Sequence, residues 1–178
     1  LDDHLGAVFE RLREHGHYED SIVIVLADHG EHLVERDSYF THVWPYREVL
    51  QVPLMIRLPG GVLGGTRVED PVSLIDVLPT LMELIGEPLE SPVDGVSLVD
   101  AMRGRSLDDR LLFAERGAGE SNWAKAVWNA DWRYVESVWK DQERFELFDR
   151  RADPAEVTDV ADEHRDVAAT LRAALDLH

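Results

Sequence analysis

Two side chains with metal-binding chemistry stand where a run of apolar residues ends: Asp28 and His29, directly before Gly30. A carboxylate beside an imidazole offers a divalent cation a hard oxygen and a nitrogen. Two ligands do not complete a hydrolytic metal site, which ordinarily needs three or more plus an open position. The tripeptide also reads as plain turn chemistry, since Asp and Gly both favour turns. His42 is the next candidate. It precedes a short predicted helix over 43–48 with Pro45 in its first turn. An imidazole there can meet an oxyanion or a leaving group; a lone surface histidine is the alternative reading. Glu31 and His32 lie close enough in sequence to orient ligands from behind, or to face solvent. His4, His15, His17, His164 and His178 fall on predicted helix or turn surfaces and receive no role.

The elements that must hold these residues follow from pattern. In open α/β sheets, ligands bind beyond the carboxyl ends of strands. The stretch 21–27, Ser-Ile-Val-Ile-Val-Leu-Ala, lacks polar alternation. It predicts a strand buried on both faces, as in a parallel sheet covered by helices. A helix with Leu5, Val8, Phe9 and Leu12 at helical spacing precedes it, capped by Asp2 or Asp3 and stopped by Gly16. A second buried strand is expected over 53–58, closed by Pro59-Gly60-Gly61, with a Gly-rich loop over 60–71. With Asp76 as N-cap, Pro79 falls in a first turn, where its absent N–H costs no hydrogen bond. Leu78, Leu81, Met82 and Ile85 would then form a buried stripe, with Gly86 as the stop. A short helix over 96–102 follows.

From residue 106 the pattern changes. Strands are expected over 111–115 and 145–149, with a hairpin of 125–128 and 134–139 around Asn129-Ala130-Asp131-Trp132. Val167, Leu171 and Leu175, spaced by four, mark a terminal helix. The predicted fold class is therefore α/β: part of a mostly parallel sheet covered by helices over 1–105, then a small α+β subdomain over 106–178 with an antiparallel sheet and a terminal helix. Trp123, Trp128, Trp132, Tyr134 and Trp139 read as sheet packing, with sugar stacking as the alternative.

Composition narrows the function. The 178 residues carry 36 Asp+Glu against 18 Lys+Arg, a formal charge of −18. That balance excludes a nucleic-acid binder as the first reading, because phosphate backbones recruit basic surfaces. It equally disfavours anchorage on anionic lipid. No apolar run is long enough to span a bilayer. Cysteine is absent, which removes disulfides, thiolate metal sites and a cysteine nucleophile from these residues.

The order of these features resembles the sulfatase family of the alkaline phosphatase superfamily, in its C-terminal half. The resemblance rests on Asp28-His29-Gly30-Glu31 after a buried strand, a His about a dozen residues on, and Tyr46 leading into Val52-Pro53-Leu54. It continues through Asp76-Val77-Leu78-Pro79-Thr80, Asp94-Gly95, Leu147-Phe148-Asp149 and Asp153-Pro154-Ala155-Glu156. It implies hydrolysis of sulfate esters, with phosphate or phosphonate esters cleaved by some relatives. It implies one divalent cation, usually calcium and sometimes manganese or magnesium, holding the anionic group. Asp28 and His29 match a metal-ligand pair of the family, in which Asn is common at the position of His29. His42 matches a His or Lys that contacts the sulfate or the leaving-group oxygen.

The family nucleophile is a formylglycine made from the Cys or Ser of a Cys/Ser-x-Pro-x-Arg motif. No Cys stands here, and no Ser is followed by x-Pro-x-Arg. The family's early Asp-Asp metal pair is also lacking. Asp2-Asp3 does not replace it: it lies about 25 residues before Asp28, the offset of the helix before that strand. The expectation is a sulfuric-ester hydrolase fragment whose partner is an N-terminal half carrying the nucleophile, with a sulfate-ester small molecule or sulfated carbohydrate as substrate. A phosphodiesterase or phosphonate monoester hydrolase on the same scaffold, and a non-catalytic binding module, are the alternatives.

Overall fold

The computed structural model describes residues 1–37, 40–107, 109–117 and 122–178, with only the backbone of Asp37. Helix α1 (Asp2–Glu14) starts after Leu1 as N-cap. Asp2 and Asp3 therefore lie in its first turn rather than capping it, where their charges favour the helix dipole. Gly16 terminates it in a left-handed conformation (φ 71°), as its sequence position predicts.

Strand β1 (Val23–Leu26) pairs with β2 (Leu54–Arg57) antiparallel, from Val23 opposite Arg57 to Leu26 opposite Leu54. The parallel pairing expected from the apolar runs is thus not made between these two strands. Among the described residues their connection holds one short α-helix, α2 (Arg47–Leu50), and antiparallel neighbours need no covering crossover. Nor is either strand buried on both faces: all eight residues are half-buried or exposed. Helix α2 begins after Tyr46, later than expected, so Pro45 precedes it.

Helix α3 (Val77–Ile85) does follow Asp76 and end at left-handed Gly86. Its buried residues are Pro79 and Thr80, however, whereas Leu78 and Ile85 of the expected stripe are 50% and 52% exposed. The side chain that matters is Asp76 itself, completely buried and paired with Arg110. Its carboxylate also accepts from the N–H of Ser73 (2.7 Å) and of Val96 (2.9 Å). Thr80 Oγ1 donates to the Asp76 carbonyl and accepts from the N–H of Leu98. Helix α3 therefore turns its polar-anchored side inward, toward the 95–98 segment and α4 (Val99–Met102).

The remaining strands, β3 (Leu112–Gly117), β4 (Asn122–Trp128), β5 (Trp132–Trp139) and β6 (Gln142–Asp149), form an antiparallel meander in chain order. Alternation along them builds two cores. Leu112, Ala126, Trp128, Val135 and Phe148 point to one face, where Tyr46 is buried and Trp44 and Leu50 pack. Val127, Tyr134 and Leu147 point to the other, covered by Leu171 and Leu175 of α5 (Arg165–Leu177). A strand with period two can feed both cores only if each face is covered. The result bolts the α2 segment to the sheet. Of the five aromatic residues, Trp128 and Tyr134 are core, while Trp139 is partly exposed and meets Trp44 edge-on at 5.5 Å.

Candidate active site at the end of β1

The chain leaves β1 at Leu26 and presents Asp28 and His29 at the surface. The Asp28 side chain is 88% exposed. Its Oδ1 accepts the N–H of His29 (3.0 Å), and its Oδ2 lies 3.9 Å from His29 Nε2. His29 Nδ1 lies 2.8 Å from the carbonyl of Gly30. A carbonyl can only accept, so this bond requires the proton on Nδ1, and in the neutral ring the Nε2 lone pair then faces Asp28. The two expected ligands therefore converge.

Gly30 is fixed by contact rather than by turn geometry. A Cβ at this position would fall 2.1 Å from the carbonyl oxygen of Glu48. Its N–H donates to the carbonyl of Val49 (2.7 Å). The loop is thus laid on the backbone of α2, which the sheet in turn holds.

A single antiparallel bridge joins His32 and Thr41, with N–H to carbonyl bonds of 2.8 and 3.2 Å. In antiparallel register, residue 31 then stands opposite 42. This brings His42 Nδ1 to 3.4 Å from Glu31 Oε2. The His29 and His42 rings stack at 4.3 Å between centroids. His29, Glu31 and His42 each offer a donor atom within 4.8 Å of the other two. Sequence reading placed Glu31 only as a possible orienting group. Nothing in spacing alone announces the 32–41 bridge that makes it a neighbour of His42.

His32 is completely buried. Its Nδ1 faces Glu48 Oε2 at 3.9 Å, and its ring meets Tyr46 edge-on. The Glu48 carboxylate also lies 3.6 Å from Arg36 Nε. Behind them, Glu156 is buried between Arg133 (3.2 Å) and Arg150 (3.4 Å). Burial pushes the Glu156 carboxyl up despite these cations. Burial likewise draws the Arg133 guanidinium down to about 10. Glu35, half-buried on the loop, is held below its ordinary range by backbone N–H groups, that of Val34 first. None of the three belongs to the Asp28–His42 group.

Residues 1–87 match the profile of the family described as Sulfatase. The chain is sulfatase-like throughout. It is 33% identical over 184 aligned residues to a choline-sulfatase of Rhizobium meliloti (strain 1021), covering 99% of this chain and 34% of that protein. In backbone it is similar to a 2-O GAG sulfatase, with a TM-score of 0.81, 24% identity, and coverage of 96% and 38%. It is similar also to the phosphonate monoester hydrolase of Agrobacterium radiobacter, with a TM-score of 0.78, 24% identity, and coverage of 99% and 38%. The sulfatase-like chain spans about a third of the length of the curated relatives it matches. Among the described residues no helix is long and apolar enough to cross a membrane.

The donor set suits a divalent cation, since a carboxylate oxygen and an imidazole nitrogen lie 3.9 Å apart on adjacent residues. The exposed position of both side chains leaves room for further ligands from other polypeptide.

Proposed function

We propose that this chain forms part of a metal-dependent sulfuric-ester hydrolase, with the nucleophile supplied by polypeptide outside these residues. The observation that carries the reading is the meeting of Asp28, His29 and His42 at the end of β1 in a sulfatase-like chain. Asp28 Oδ2 and His29 Nε2 would hold the cation, which when bound neutralises charge on the ester's anionic group. Calcium is the cation the family resemblance implies, with manganese or magnesium as substitutes.

His42 does the proton work. Its Nδ1 faces Glu31, so Nε2 is the atom available to the substrate. A proton on Nε2 is donated to the departing oxygen or hydrogen-bonds a non-bridging oxygen, while Glu31 steadies the imidazolium. The His29 ring beneath fixes the plane of His42. The substrate class in this reading is a small sulfate ester or a sulfated carbohydrate. We read residues 1–105 as the site-bearing portion and 106–178 as its supporting subdomain.

The test is hydrolysis of 4-nitrophenyl sulfate. The chain by itself should give no turnover, and the polypeptide that also contains the nucleophile should. In that polypeptide Asp28→Ala should lower kcat by at least about 100-fold. Wild-type turnover by the variant would refute the assignment. The likeness to a phosphonate monoester hydrolase favours a second reading, phosphonate or phosphate ester cleavage at the same groups. A higher kcat/KM on a phenylphosphonate ester than on the sulfate would select it.

A further inference from the structure

We propose that Arg36 is a positioning residue for His42: its guanidinium braces the 33–36 segment against α2 and the segment after β6, and so keeps the Glu31–His42 pair in register. Among the described residues the His32–Thr41 bridge ties this segment to its return strand with two backbone hydrogen bonds, and two such bonds fix a loop weakly. Arg36 supplies the second anchor. Its Nε faces Glu48 Oε2 at 3.6 Å, and its terminal nitrogen donates to the Glu156 carbonyl. The guanidinium lies over the Tyr46 ring at 4.0 Å and the Phe148 ring at 5.1 Å.

The backbone carries a second, independent sign. Arg36 sits at φ 55°, ψ 36°, left-handed space that a residue with a Cβ occupies only when its surroundings hold it there. The surroundings here are well anchored. Glu156 is buried between Arg133 and Arg150, and Phe148 is completely buried in the sheet. Glu48 is the hub. One carboxylate faces both Arg36 and His32, and the same residue's carbonyl is the surface on which Gly30 rests. The guanidinium thus joins the site loop to residues 120 positions later. It acts on His42 through the His32–Thr41 bridge.

The experiment is NMR of the histidine-labelled chain, reading the cross-relaxation between the stacked His29 and His42 rings. Arg36→Gln should abolish that signal while the resonances of buried Trp128 and Phe148 stay in place. Arg36→Lys, which can satisfy one anchor at a time, should retain part of it. An undiminished ring-to-ring signal in folded Arg36→Gln overturns the proposal. Should that variant not fold, Glu48→Gln carries the same test with the same two outcomes.

A second arm rests on the hydrolase reading of His42. In the polypeptide containing the nucleophile, Arg36→Gln should lower kcat about 10- to 100-fold and leave KM within about threefold. Loss of the ring contact without a fall in kcat would refute the part of His42 in turnover and leave the brace standing. Retained contact refutes the brace whatever kcat does.

Discussion

The β1–β2 ribbon and the four-stranded sheet carry different duties, and burial separates them. Strand β5 is buried from Arg133 through Val138, whereas β1, which aims the candidate ligands, has no buried residue. The sheet is covered on both faces by its own chain. The ribbon presents Met55 and Leu26 to solvent. The candidate ligands are thus mounted on the thinly packed part, which meets the thick one through Gly30 on α2 and Arg36 on Glu156. Sites held by rigid neighbours rather than by their own burial keep their polar groups accessible.

Truncation should expose that contrast most strongly. Phe148→Ala, in the sheet core, should cost about 3–5 kcal/mol in urea denaturation. Met55→Ala, on the ribbon, should cost under about 1 kcal/mol. Equal losses would erase the distinction between the two regions.

Gly30→Ala probes the joint between them. The added methyl meets the Glu48 carbonyl at 2.1 Å, so loop or helix must shift. The expected cost is about 1–3 kcal/mol of stability, together with loss of the His29–His42 ring contact. A variant with unchanged stability and unchanged ring contact would show that the loop does not rest on α2.

Acid titration gives a smaller effect with opposite signs at two places. Burial alone would raise the Asp76 carboxyl, but Arg110 and the N–H groups of Ser73 and Val96 outweigh it and lower it. Its contribution to stability is therefore present above the ordinary carboxylate range and lost as pH falls through the lowered value. Glu156 is raised by burial, so its ionisation opposes folding, and stability is regained as pH falls from neutral toward the ordinary range. Denaturation of Asp76→Asn should show a shallower acid loss than wild type, and Glu156→Gln a weaker gain on mild acidification. The reverse slopes would contradict both assignments.

The local elements were legible because their signals are local. The β-branched run gave β1, Gly16 and Gly86 gave two helix ends, and the aromatic-rich alternation gave the meander. Asp28, His29 and His42 were singled out because residue type and resemblance pointed the same way, and the structure brings the three side chains together. What spacing could not disclose was pairing at a distance. The antiparallel β1–β2 match, the 32–41 bridge and the Asp76–Arg110 pair all depend on which segments meet. The α3 stripe failed for a related reason: period predicts which residues share a face, not whether that face is covered.

The most direct test concerns which side chains hold the cation. Calcium or manganese is titrated calorimetrically into the polypeptide containing the nucleophile, as wild type, Asp28→Ala and His42→Ala. The account predicts at least about a 10-fold weaker affinity for Asp28→Ala and an affinity near wild type for His42→Ala. The opposite pattern, binding kept without Asp28 and lost without His42, would assign the cation to the His29–Glu31–His42 cluster and contradict the mechanism drawn from the end of β1.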